Sequence, residues 1–149
     1  MSKSLSQIYI HIVFSTKNRK PYLSDHSARD RLYQYIVKIC DNHKSHVLAI
    51  GGTSDHIHLL LSLNKSTSVS KIIEEIKSST SKWIKSINGE DFYWQNGYGA
   101  FSVSQSNVDA VIKYIHNQES HHKKYSFKEE LIKLLKAHKV SYDEKYLWT

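Results

Sequence analysis

His56 and His58 stand at i and i+2 in the run Asp55-His56-Ile57-His58-Leu59-Leu60. On a strand, residues two apart point to the same side, so both imidazoles can reach one ion while Ile57 anchors the strand in a core. Ten histidines in 149 residues make a chance pair common, so the pattern gains meaning only with a further ligand and a reactive group. Downstream residues offer both. At about 100° per residue, Tyr114, Gln118, His121 and Tyr125 fall within about 60° of one another on a helix and form a polar stripe. Val108, Val111, Ile112 and Ile115 centre roughly 100° away, so this helix can pack with one side and present the other. The same stripe also fits an amphipathic boundary, with Tyr114 at its edge and Gln118 solvated.

The elements that must position these residues follow from periodicity. Ile8, Ile10, Ile12 and Phe14 alternate with Tyr9, His11 and Val13, which predicts a strand over 8–14, ended by the basic turn 17–21. Leu32, Tyr35, Ile36, Ile39 and Cys40 predict a first helix over about 27–43, followed by a short strand over 46–50. Gly51 and Gly52 are expected to make a tight turn into a strand over 55–63, with His56 and His58 opposite Ile57, Leu59 and Leu61. From Val69, the residues Ile72, Ile73, Ile76, Thr80, Trp83, Ile84 and Ile87 keep one helical face. A strand over 99–104, a third helix capped by Ser106 or Asn107, and a fourth helix bearing Leu131, Ile132, Leu134 and Leu135 complete the chain. This β-α-β-β-α-β-α-α order predicts an α+β fold: a ferredoxin-like (split βαβ) antiparallel sheet with helices on one face and a C-terminal tyrosine-bearing helix. The histidine face is then expected to be the open one.

One proline, Pro21, and the lack of a linker or repeat predict a single domain, 1–149, and 40% hydrophobic content suffices for one core. The formal charge of +7 favours a polyanionic partner or an anionic surface. No apolar run approaches the ~20 residues of a membrane span, and the first 14 residues lack the form of a signal peptide, so a cytoplasmic location without membrane partners is expected. The single cysteine, Cys40, excludes an internal disulfide and multi-cysteine zinc sites and reads as a small buried residue.

Three separated stretches give the sequence a family likeness. Residues Asp55-His56-Ile57-His58-Leu59-Leu60, Trp94-Gln95-Asn96-Gly97-Tyr98-Gly99-Ala100-Phe101-Ser102-Val103-Ser104, and Tyr114-Ile115-His116-Asn117-Gln118 with His121-His122 resemble the small single-tyrosine transposases of bacterial insertion sequences. These belong to the histidine-hydrophobe-histidine nuclease superfamily, and the resemblance runs from Ile8 to about Tyr146. It implies His56, His58 and Gln118 as metal ligands, Tyr114 as nucleophile, Mg²⁺ or Mn²⁺ as cofactor, single-stranded DNA with hairpins as substrate, and a homodimer. Family members often carry a glycine hinge ahead of the tyrosine helix, whereas the nearest upstream glycines here are Gly97 and Gly99.

A phenol with pKa near 10 attacks poorly and the charge of the phosphodiester repels it; a metal on a non-bridging oxygen addresses the second problem. Attack by Tyr114 would leave a 5′-phosphotyrosine and a free 3′-OH, and a second 3′-OH could then complete strand transfer without ATP. His121 is a candidate proton acceptor and Tyr125 the replacement nucleophile. Lys17, Arg19 and Lys20 are the candidate DNA contacts, ahead of the cluster Phe92, Tyr93, Trp94, Tyr98 and Phe101, in which core packing explains Trp94 and Phe101 equally well. A silent hairpin-binding regulator would not need intact His56, His58, Tyr114 and Gln118. A two-histidine RNA phosphoesterase would need two His-x-Ser or His-x-Thr motifs, and only His43-Lys44-Ser45 fits. A domesticated relative that processes palindromes would keep the same residues as a mobile-element transposase.

Overall fold

The alternation of Ile10, Ile12 and Phe14 with Tyr9, His11 and Val13 produces the first strand, β1 (Tyr9–Ser15), in a computed structural model that describes residues 2–148. There follow α1 (His26–Asn42), β2 (His46–Gly52), β3 (His56–Ser62), α2 (Val69–Asn88) and β4 (Gly99–Val103). The chain ends in α3 (Val108–His116), α4 (Gln118–His121), α5 (Phe127–Ala137) and α6 (Glu144–Leu147). Side-chain caps start the long helices: Asp25 accepts from Ser27 and Ala28, and Ser68 accepts from Lys71. Asn107 sits at the start of α3, as expected, but its side chain makes no capping hydrogen bond.

The strands pair antiparallel in the order β2-β3-β1-β4. β1 and β2 are joined through α1 with β3 between them, and β3 and β4 are joined through α2 with β1 between them, so the α+β, split βαβ arrangement is the one the sequence predicts. Ile12, Phe14, Ile57, Leu59 and Leu61 point to one face and make a core with Leu32, Ile36 and Cys40 of α1 and Ile72, Ile76 and Ile84 of α2. Burial pushes the Cys40 thiol up to about 12, which fits an inert core residue.

Two expectations are corrected. Gly51 and Gly52 are the last residues of β2, paired with His58 and Ile57, and the turn falls on residues 53–55. A Cβ on Gly51 would stand 2.5 Å from the Ile115 carbonyl oxygen, so this glycine lets α3 approach the strand. The histidine face is not open either. Leu60 and Ala49 share it and need cover, which Val108 and Ile115 of α3 supply, while Phe127 and Leu135 of α5 pack on Val13 and Phe101.

Candidate metal centre and nucleophile

β1 and β3 set the base of the site. Ser15 pairs with His56 and Val13 with His58, so His11, on the same face of β1, lies diagonally beside His58 and brings its Nε2 to 2.8 Å from His58 Nδ1. Both imidazoles of the His-x-His pair are fully buried, at 0% exposure. His56 Nδ1 stands 2.7 Å from Asp55 Oδ1 and 3.1 Å from Thr53 Oγ1. Burial would raise the Asp55 carboxyl, but the hydrogen bond from His56 and the charges around it hold it below the usual carboxylate range. Asp55 is therefore an acceptor, and the Nδ1 proton of His56 donates to it, leaving Nε2 to face inward.

The C-terminal helices close over this base. The sequence predicts one helix carrying Tyr114, Gln118, His121 and Tyr125, but α3 ends at His116, and Asn117 (φ −96°, ψ 18°) leaves the helical path before α4 begins. Tyr125 consequently falls in the turn before α5. The relation of Tyr114 to Gln118 survives: Gln118 Nε2 lies 3.4 Å from the Tyr114 carbonyl oxygen. Gln118 Oε1 stands 2.9 Å from His56 Nε2, and Gln118 Nε2 donates to Glu130 Oε2 at 3.1 Å. His56, His58, Gln118 and Tyr114 are thus gathered in one place within a single chain.

Glu130, which the sequence reading did not single out, ties the cluster together. Ser126 and Glu129 form a capping box that starts α5 and sets Glu130 on its inner face, 1% exposed. Its Oε1 lies 2.8 Å from His58 Nε2, 3.1 Å from His122 Nε2 and 3.5 Å from His56 Nε2, while Oε2 accepts from the Tyr114 hydroxyl. Burial alone would raise this carboxyl, but hydrogen bonds from His122 and His58 hold it well below the usual carboxylate range. Among the described residues no lysine or arginine pairs with it. Its position was signalled by spacing, because Phe127, Glu130, Leu131 and Leu134 occupy i, i+3, i+4 and i+7 of an amphipathic helix.

The donor set fits a cation. His122 Nδ1 donates to the Tyr125 carbonyl at 2.7 Å, and its Nε2 meets Glu130 Oε1 at 3.1 Å. Burial disfavours the imidazolium, but Glu130 and the Tyr125 carbonyl outweigh it and raise the His122 pKa, so Nε2 holds a proton that a cation must displace. His56 Nε2, the Gln118 amide oxygen and Glu130 converge as acceptors on the same point, which that proton or one shared cation can satisfy. Ligand atoms of His56, His58, His122 and Glu130 all lie within 4.8 Å of one another. The separations of 2.8 to 3.1 Å match the edges of about 3 Å expected for an octahedron with bonds of about 2.1 Å.

Burial, reinforced by Glu130, pushes the Tyr114 phenol above its ordinary range. His121, the expected proton acceptor, lies further off: its Nε2 is 3.5 Å from Glu130 Oε2 and its ring 5.3 Å from that of Tyr114. Burial lowers its pKa. Lys17, Arg19 and Lys20 follow β1, with Lys17 and Lys20 exposed and Arg19 stacked 5.2 Å from the Trp148 ring, and none hydrogen-bonds to the cluster. Phe92, Trp94 and Phe101 are buried, which leaves Tyr93 and Tyr98 as the exposed members of the aromatic group.

A family model described as IS200-like transposase matches residues 4–118, ending at Gln118 and so short of His122 and Glu130. Two solved structures share the fold. A candidate transposase of Deinococcus radiodurans R1 superposes with a TM-score of 0.62 at 21% identity, over 79% of this chain and 98% of that one. A REP-associated tyrosine transposase bound to a REP hairpin gives a TM-score of 0.61 at 18% identity, over 82% of this chain and 74% of that one. No curated protein matches the chain by sequence.

Proposed function

The chain belongs to the IS200-like transposase family, and on that premise we propose that it is a metal-dependent transposase that nicks and rejoins single-stranded DNA through a 5′-phosphotyrosine on Tyr114. The observation that carries this reading is the convergence of His56 Nε2, Gln118 Oε1, His122 Nε2 and Glu130 Oε1 beside the Tyr114 hydroxyl. His56, His58 and Gln118 would hold the ion, with Glu130 adding an anionic oxygen and His122 a third imidazole. A carboxylate and an amide beside imidazoles suit Mg²⁺ or Mn²⁺. Such an ion supplies a Lewis acid for a non-bridging phosphate oxygen.

The remaining chemistry falls to the chain's own groups. Tyr114 is harder to ionise than a free phenol, so it needs an acceptor in contact, and Glu130 Oε2 already receives its hydrogen. As the Tyr114 Oη–P bond forms, the P–O3′ bond breaks and the departing 3′ oxygen takes a proton from water. The phenol proton leaves along its hydrogen bond to Glu130 and on to the more basic His121, 3.5 Å from Glu130 Oε2. An incoming 3′-OH reverses the step, and Tyr114 recovers its proton.

The charge of +7 and the exposed Lys17 and Lys20, with Arg19, support contact with the DNA backbone. A hairpin-bearing strand as substrate is supported by the hairpin held by one structural relative. The whole chain, 1–149, acts as one nicking and strand-transfer domain in the cytoplasm. No helix among the described residues is long and apolar enough to cross a membrane. Assembly as a homodimer remains part of the reading, but one chain suffices to bring Tyr114 to the histidines.

Titration with Mn²⁺ tests the metal site directly. Calorimetry should show one site per chain, with His56→Ala and Glu130→Gln each weakening it by about ten- to a hundredfold. Affinity unchanged in His56→Ala would refute the assignment.

A further inference from the structure

Beside the phenol of Tyr114 the structure keeps a second, less polar space. Between α3 and α5 lies a cleft of about 420 Å³, with Tyr114 and Glu130 in its lining and His11 at the sheet side. Resting on the reading of Tyr114 as the attacking group, we propose that this cleft receives one unpaired DNA base adjoining the phosphate under attack.

Connectivity brings a base to this cleft. For in-line attack the phosphorus must come within about 3 to 3.5 Å of Tyr114 Oη, and the sugars on either side each carry a base less than one nucleotide away. Toward the sheet the way is closed by His58 and Gln118, both buried, whereas the cleft is continuous with Tyr114. A base at the scissile step therefore meets an existing cavity.

The lining suits a flat heterocycle. Val111 and Leu134 offer half-buried apolar surface from the two helices, and the small Ala110 and Ala137 keep the slot open. Ser102, Asn107 and His138 supply hydrogen-bonding groups at its margin, so apolar walls meet the faces of a base and polar groups its edge.

Charge is compatible with this cavity. Glu130 is the one carboxylate in the lining and is fully engaged by His58, His122, Tyr114 and Gln118, while exposed Lys133 stands at the rim with its Nζ 3.9 Å from the Tyr125 ring centroid. The cavity on the other side of the cluster, past His122, sets Asp55 and Glu119 against Arg29 and Lys123, and Tyr114 does not line it. Nearness to the attacking group, not charge, therefore selects the cleft.

Ala110→Leu and Ala137→Leu fill the slot from opposite walls at exposed positions, where the added bulk should leave the melting temperature unchanged. The probes are hairpin-bearing single strands with 2-aminopurine at one unpaired position each. Fluorescence should be quenched strongly at one position next to the cleaved phosphate, and both leucine variants should abolish that quenching and weaken binding about tenfold, as the loss of one stacked base would. An abasic site at that position should cost the wild-type protein the same amount and the variants nothing further. Additive losses, or quenching that survives both substitutions, would overturn the base cleft while leaving the nuclease reading intact. Failure of the wild-type protein to bind any of these strands would overturn both.

Discussion

The two oxygens of Glu130 face different work: Oε1 stands among the imidazoles of His58 and His122, whereas Oε2 accepts from Tyr114 and from Gln118. One side chain thus joins the proposed ion to the proposed nucleophile, and a glutamine in its place would keep the shape but lose the charge. Sequence alone made His56 and His58 visible because a strand repeats every two residues, and it kept Tyr114 with Gln118 because one helical turn separates them. Glu130 was harder to see. A charged residue at an inward helical position is a signal only when the partner that pays its desolvation is known, and that partner sits 72 positions earlier at His58. His11 and Asp55, which fix the two imidazoles from behind, were hidden for the same reason.

At the scale of elements, the sheet and the two helices on its first face could be read directly, since each carries a full apolar stripe. The break at Asn117 could not, because Val108 to His121 contains no proline or glycine to announce it. Nor could cover of the histidine face, which depends on how α3 and α5 return over the sheet. Gly51 is where that return is most constrained. Gly51→Ala would drive a Cβ to 2.5 Å from the Ile115 carbonyl and push α3, with Tyr114, off the strand. We expect a loss of about 1 to 3 kcal/mol, seen as a lowered melting temperature, together with slower strand cleavage. Unchanged stability and cleavage would show that α3 does not depend on this approach.

For the whole molecule, buried histidines make stability depend on pH. Burial holds His11 and His58 down to about 3 and about 4, so both are neutral at pH 7, whereas in the unfolded chain they titrate near 6.5. Between 6.5 and about 4 the unfolded state binds protons that the folded state refuses, so stability falls as pH falls. Below the ordinary glutamate range Glu130 adds a loss of the same sign. Between about pH 6.5 and pH 4 the melting temperature of metal-free protein should drop steadily as pH falls; a level curve across that range would contradict the burial of neutral imidazoles. The proposed reaction leaves a covalent bond between Tyr114 and DNA. Protein incubated with Mn²⁺ and a hairpin-bearing single strand should retain DNA through denaturation, and peptide mass spectrometry should place the 5′-phosphate on Tyr114, with no adduct from Tyr114→Phe or from metal-free protein. An adduct on another residue, or one that persists in Tyr114→Phe, would contradict it.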